Sequence, residues 1–198
     1  KYITQRLTNA SWPVPLTRLS KVIVHYCDEN TVQYVYGGGK AANTYENDVT
    51  IEGGRVYRAF AGGDGSEPGT KSDVETNVAI KVQGGIVYQV FGGSNTSGII
   101  EGKTSIDLTP DPSCELVNGE TFGGGNEAMG NGGTIDLTCG SSFMNFYGGA
   151  RNAIINGNIV LNVRGGVYDT IFGGNKDGGR ITGNVIVNFT GGQTKCLF

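Results

Sequence analysis

The stretch that decides the fold runs from Ile159 to Asn175 and reads IVLNVRGGVYDTIFGGN. Apolar and polar residues alternate over residues 159–164, as they do in a strand that buries one face. A Gly-Gly pair follows, then an apolar segment that ends at Phe172, and then a second Gly-Gly pair. Residues 78–93, VAIKVQGGIVYQVFGG, repeat this order. Each copy therefore predicts two short strands that end at glycine corners.

An aromatic residue followed by two glycines recurs through the chain at near-constant spacing. The first glycines of these pairs are 25, 30, 31, 25 and 25 residues apart, at Gly37, Gly62, Gly92, Gly123, Gly148 and Gly173. A period in the twenties is typical of a solenoid, whose units pack on their neighbours. A looser third segment closes each repeat on glycine. The sequence predicts an all-β, right-handed parallel β-helix with about 25 residues and three short strands per coil.

The repeat pattern also divides the chain. Residues 1–20 lack it and contain a proline-broken apolar segment, so we expect an N-terminal cap there and β-helix repeats over residues 21–198. Two insertions, residues 64–73 and 110–113, are expected as loops. Residues 191–198 begin a coil without completing it, so we expect the repeats to be truncated at the C-terminus. End-to-end self-association through that edge is a further expectation.

Composition excludes several classes of protein. The chain has 35 Gly but only 5 Pro in 198 residues, with no glycine at every third position, so it is not collagen. Its net charge is −3 with no basic cluster, which argues against nucleic acid as a partner. No apolar run approaches the roughly 20 residues of a membrane-spanning helix. No motif calls for a cofactor.

The repeats resemble those of known proteins. The form Val-x-Ile-x-Val-x-Gly-Gly-x-Val-Tyr-x-x-Ile-Phe-Gly-Gly, most complete at residues 159–175, is similar to repeats of large bacterial surface proteins, notably from gut Bacteroidetes. The resemblance covers roughly residues 30–198 in degraded form. It implies a right-handed β-helix, an adhesin-like role and an extracellular or cell-surface location. It implies no catalytic residues, because the motif is structural.

One outward column of the first strand could carry chemistry. It consists of Thr50, Lys81, Asp107, Asp136, Asn162 and Asn188, with the two aspartates on adjacent coils. Two carboxylates about 5 Å apart could hold calcium or act as an acid/base pair on a glycan. The alternative is a pair of solvated carboxylates near Lys81 and Asn162. We favour the alternative and expect no metal site, because calcium needs six or more oxygens.

The aromatic residues of the repeated motif form a second column. Its members are Tyr36, Phe91, Phe122, Tyr147, Phe172 and Phe198. Outside the coil, Tyr36, Phe91, Tyr147 and Phe172 could bind sugar rings or a partner; inside, they would be a stacked core ladder. The preceding column, which this alignment extends through Phe60, is also apolar. Both can be buried only if the corner bends the chain, and we expect the aromatic column to be interior.

The cysteines fit no zinc spacing. Cys114 and Cys139 fall in the same column of successive coils, where they would form a disulfide or remain as two stacked thiols. His25 is the only histidine, and no nucleophile motif accompanies it.

Three functions are consistent with these patterns. The first is a non-enzymatic β-helical stalk or adhesive surface, with glycans or surface proteins of host or bacterium as partners. The second is a polysaccharide lyase or glycoside hydrolase, and the third is a carbohydrate-binding module. The fold alone cannot choose among them. We favour the first, because clusters of Asp, Arg or Lys on outward strands are sparse.

Overall fold

The computed structural model describes residues 18–25, 31–108, 116–137, 141–142 and 145–198. All regular structure in these ranges is β, and none of it is helical, so no helix there could cross a membrane. The strands are β1 (Ser20–Val24), β2 (Thr31–Tyr36), β3 (Asn47–Ile51), β4 (Arg55–Phe60), β5 (Val78–Val82), β6 (Gly85–Phe91), β7 (Thr104–Asp107), β8 (Leu116–Phe122), β9 (Gly133–Leu137), β10 (Ser141–Ser142), β11 (Phe146–Tyr147), β12 (Asn152–Ile155), β13 (Ile159–Phe172), β14 (Gly178–Ile181) and β15 (Val185–Leu197).

The strands stack as a parallel β-solenoid. The first row is β1, β3, β5, β7, β9 and the first half of β13, and the second row is β2, β4, β6, β8 and β10–β11 with the second half of β13. Strand β15 pairs along β13 in both rows. The solenoid has about six turns of about 26 residues each. The predicted all-β solenoid fold is therefore confirmed.

A third row completes each of the first six coils. It is regular only where β12 pairs with β14. In the preceding coils it narrows to single parallel bridges that join Thr44, Val74, Ile100, Gly130 and Ile155 in turn. Three short segments per coil are thus present as predicted. The third is the least regular, as the looser sequence there indicated.

The alternating pattern places the main core between the rows. In β5, Val78, Ile80 and Val82 are buried while the intervening residues are half-buried. The corner after this strand requires glycine, because the backbone at Gly85 has a φ of 84°. That left-handed conformation is costly for residues with a Cβ atom. Gly54, Gly166 and Gly192 occupy the same corner with φ between 86° and 91°.

The aromatic column forms a second hydrophobic cluster, separate from the main core. Its rings lie nearly parallel, with adjacent ring centroids 4.6 to 5.1 Å apart from Tyr36 to Phe198. The preceding residues, such as Val35 and Val90, belong to the main core. Neighbouring strand residues point to opposite sides, so the rings face away from that core, and they stack face to face on one another. Both columns are therefore buried, each in its own cluster.

One position of the sequence alignment was wrong. Phe60 pairs with Tyr36 and Phe91, so it belongs to the aromatic column, and Ala59 takes its place in the preceding one. The error arose from aligning this copy on its glycines. Ring stacking sets the register here, and Ala61 stands where other coils have the first glycine.

Several predicted features lie outside the described residues. They include most of the N-terminal cap (residues 1–17), the loop at residues 110–113 and both Cys114 and Cys139, so the disulfide stays a prediction. The other insertion, residues 64–73, is a loop between the second and third rows. Cys196 is an exposed free thiol in β15.

Candidate functional site

The outward column predicted on the first row has the expected register. Thr50 pairs with Lys81, Lys81 with Asp107, Asp107 with Asp136, and the column continues through Asn162 to Asn188. The two aspartates therefore lie side by side on adjacent coils. Each carboxylate also contacts a cationic side chain, and these contacts determine what the pair can do chemically.

Positive and amide groups surround the two carboxylates. Lys81 Nζ lies 4.0 Å from Asp107 Oδ2, and Arg164 Nη2 lies 3.4 Å from Asp136 Oδ1. Asn162 donates a hydrogen bond of 3.1 Å to the same Asp136 oxygen. Each carboxylate therefore has a cationic side chain of the protein beside it, which offsets its charge. Within the described ranges, no group of three or more His, Cys, Asp or Glu side chains could hold a metal ion.

The four aromatic residues considered for binding are members of the stacked ladder. Phe91 is fully buried between Phe60 and Phe122, so both faces of its ring are covered by protein. Tyr147 is covered in the same way. Tyr36 and Phe172 are only partly buried. Phe198, at the end of the ladder, is 72% exposed.

A polar network lies beside the ladder on the outer side of the second row. Arg58 Nε donates a 2.7 Å hydrogen bond to Gln89 Oε1, and Gln89 Nε2 donates a 2.9 Å bond to Glu120 Oε2. Each of these residues comes two positions before a ring of the ladder and shares its side of the strand. Their spacing of 31 residues is visible in the sequence, but our alignment considered only the rings.

Lys176 closes this network from another element. It lies in the loop after β13, and its Nζ is 2.8 Å from Glu120 Oε1. The hydrogen bond to Glu120 raises the pKa of Lys176. The same ammonium sits 5.8 Å from the ring centroid of Tyr147, a cation–π arrangement. Glu120 is almost completely buried whereas Lys176 is partly exposed, so this pair joins two coils at the edge of the solvent.

A second network follows the corner after the ladder. Asn95 donates to Asp64 and Asn126 donates to Asn95, at 2.9 and 3.0 Å. Arg151 completes the run by bonding both Asn126 and Asp177. Every coil from the second to the sixth contributes one member. These side chains bond along the solenoid axis.

Asp64 sits at the start of this corner network. Burial works against its ionisation, but hydrogen bonds from Ser66, Asn95 and Tyr36 outweigh burial and lower its pKa. Burial, followed by the charge of Asp64, raises the pKa of Tyr36 to about 12. All of these donors come from the protein. The glycine-flanked Asp64 therefore serves as an acceptor that holds the corner loop to the first coils.

Exposed tyrosines are the remaining feature of this surface. Tyr57 and Tyr88 are each 43% exposed, and their ring centroids are 5.9 Å apart. Each follows a buried valine and precedes a member of the polar network. The Val-Tyr pair that recurs in the sequence signals these tyrosines. The repeat pattern places the pair in a strand but does not show that the tyrosine faces outward.

These features spread over several coils and do not converge on one cleft. The chain matches no protein-family model, and neither the curated proteins nor the solved structures gave a match. Strand register and packing therefore support the solenoid assignment on their own.

Proposed function

We propose that this chain is a non-enzymatic β-solenoid segment of a secreted or surface-attached bacterial protein, serving as a stalk with an adhesive outer surface. The observation that carries the proposal is the continuity of the side-chain ladders. Rings, amides and charged groups of one coil bond the next coil over most of the length. Such side chains stiffen a rod and fix the spacing of whatever the rod presents.

The resemblance of the repeats to bacterial surface proteins supports the proposed location. The ladder geometry supports the mechanical part, because neighbouring coils are joined by backbone and side-chain bonds and load passes from coil to coil through them. Glycine corners bring these coils into close backbone contact. A Cβ atom on Gly92, for example, would lie 2.3 Å from the Gly123 carbonyl oxygen.

The enzymatic alternative would use the adjacent aspartates of the first row. A glycosidase needs one protonated and one ionised carboxyl group on opposite sides of the scissile bond. Asp107 and Asp136 instead stand side by side in one column, and each lies beside its own cationic side chain, Lys81 and Arg164 respectively. This arrangement supports the non-enzymatic proposal.

Surface location is tested on intact cells of the source organism with an antibody raised against the 198-residue chain. We expect the antibody to label intact cells or the culture medium, and external protease to remove the label from cells. Detection only after lysis, with full protection from protease beforehand, would show that the proposed location is wrong.

Turnover is tested separately with the purified chain on acidic and neutral polysaccharides, by following the release of reducing ends. We expect no release above a heat-denatured control. Release that disappears in both Asp107→Asn and Asp136→Asn would replace the stalk proposal with an enzyme that uses these two carboxylates.

A further inference from the structure

The outer side of the second row carries a cluster of exposed tyrosines and half-buried arginines, which we call the tyrosine platform. Its members lie on β2, β4 and β6, the first three coils. They are Tyr34, Arg55, Tyr57, Arg58 and Tyr88. Tyr34, Tyr57 and Tyr88 are 49%, 43% and 43% exposed, whereas the ladder rings Phe60 and Phe91 beside them are fully buried.

A local irregularity of the strands creates the platform. In β4, Val56 and Ala59 are both buried although they are three residues apart, where alternation would place inward residues two or four apart. The pairing with β6 accordingly aligns Val56 with Val87 and Arg58 with Gln89, without a partner for Tyr57. Two consecutive residues therefore face outward in each of these coils, and the surface is wider than a regular strand would provide.

The row of tyrosines stops at a glycine. After Tyr57 and Tyr88, the equivalent residue of the next coil is Gly119, whose added Cβ would lie 2.1 Å from the Tyr88 carbonyl oxygen. The position equivalent to Tyr88 on that coil therefore carries no side chain. The Tyr88 ring has Tyr57 as its neighbour on one flank and a glycine at the equivalent position on the other, and the ring itself is 43% exposed. An exposed aromatic ring can stack on a flat, partly apolar group.

The charged side chains of the platform are the two arginines, Arg55 and Arg58. Arg58 is fixed in place, since its Nε bonds Gln89 and its guanidinium carbon lies 5.5 Å from the Tyr57 ring centroid. Neither Arg58 nor Arg55 forms an ion pair within the described part of the chain. The nearby Glu120 is already bonded to Gln89 and Lys176.

We infer that the tyrosine platform binds a carboxylated sugar chain, such as a uronate-containing polysaccharide. The tyrosine rings would contact the apolar faces of the sugars, and the guanidinium groups would bind their carboxylates through paired hydrogen bonds. A neutral glycan would leave both arginines without a partner. This inference rests on the proposed function, because it assigns a ligand class to the adhesive surface.

The test measures binding of an oligogalacturonate to the full 198-residue chain by calorimetry, against the same oligomer with its carboxyl groups methyl-esterified. We expect the acid to bind about tenfold or more tightly than the ester, and binding of the acid to weaken as salt is added. Tyr88→Ala and Arg55→Gln should each weaken binding of the acid by about tenfold. Their matched controls, Tyr45→Ala and Arg180→Gln, change exposed residues elsewhere and should leave binding unchanged.

The inferred binding of a carboxylated sugar chain is contradicted if neither oligomer binds, if both bind equally, or if the platform variants behave like their controls. Those results would leave the surface location and lack of turnover intact, since both have their own assays. Conversely, binding accompanied by shortening of the oligomer would contradict the non-enzymatic proposal while keeping the platform as its binding surface.

Discussion

Glu120 shows how single residues on this surface are constrained. Its carboxylate is almost completely removed from water, and both of its oxygens are used, one by Gln89 and the other by Lys176. A buried carboxylate is stable only when charge and hydrogen-bonding capacity are both matched. Lys176 comes from two coils away, so the pair fixes the position of a loop as well as neutralising a charge.

Replacing Glu120 with Gln should destabilise the protein by about 2 kcal/mol, because the ammonium of Lys176 loses its counter-charge and the new amide NH₂ faces another donor. Urea denaturation at pH 7 measures this loss. Asp169→Asn is the matched control, since Asp169 pairs with Lys195 at an exposed site and should show no measurable change. Equal stability of the two variants would show that the Glu120–Lys176 pair contributes nothing special.

Asp64 predicts a pH dependence. Its pKa in the folded protein lies below the ordinary value of 3.8, so its contribution is complete above that value and is lost as pH falls through the folded pKa. Asp64→Asn should cost about 1 kcal/mol at pH 7 through weaker hydrogen bonds. The deficit should shrink between about pH 5 and about pH 2 in urea denaturation. A deficit that stays constant over this range would show that the charge of Asp64 is irrelevant to stability.

At the scale of elements, the corner after each aromatic ring depends on backbone contact between coils. The same glycine position can be compared in an inner and an outer coil. A Cβ atom on Gly93 would lie 2.7 Å from the backbone nitrogen of Gly125, whereas a Cβ atom on Gly174 would meet nothing within 4 Å. Neither glycine has a positive φ, so the difference between them is steric.

We therefore expect Gly93→Ala to destabilise the protein by about 2 kcal/mol or more, because the added methyl group separates two coils that are held by backbone hydrogen bonds. Gly174→Ala should change stability by less than about 0.5 kcal/mol. Thermal and urea unfolding of both variants provide the measurement. If the two substitutions had the same effect, close coil approach would not be the reason for glycine at this corner.

The strands and their order were predictable because period-2 alternation and glycine spacing are local signals. Leu161 and Ile80 could be placed in the core on that basis, and both are buried. The side of the strand on which the aromatic column lies was harder to predict from the sequence, because it depends on where the chain turns after the ring. Lys176 bonding Glu120 was not predictable at all, because the two come from different elements 56 residues apart.

At the scale of the whole molecule, the solenoid has one edge whose exposure is apparent in the described residues. Strand β15 pairs with β13 on one side, and no described strand pairs with its other side. Several apolar side chains of this coil are exposed, including Val185, Ile186, Phe189 and the end ring Phe198. Inner coils bury the positions equivalent to Val185, Phe189 and Phe198, as Ile159, Val163 and Phe122 show. Open strand edges with apolar neighbours favour pairing with another chain.

For the 198-residue chain, we expect weak, concentration-dependent self-association through β15, because pairing would satisfy the backbone groups of this edge and cover its apolar side chains. Phe189→Lys places a charge on the exposed edge and should shift the protein towards monomer in sedimentation equilibrium. Tyr45→Lys puts the same charge on an exposed aromatic position away from β15 and should leave association as it is. A strict monomer at high concentration would contradict the prediction. Equal loss of association in both variants would instead show that net charge controls association, and that β15 is not the contact surface.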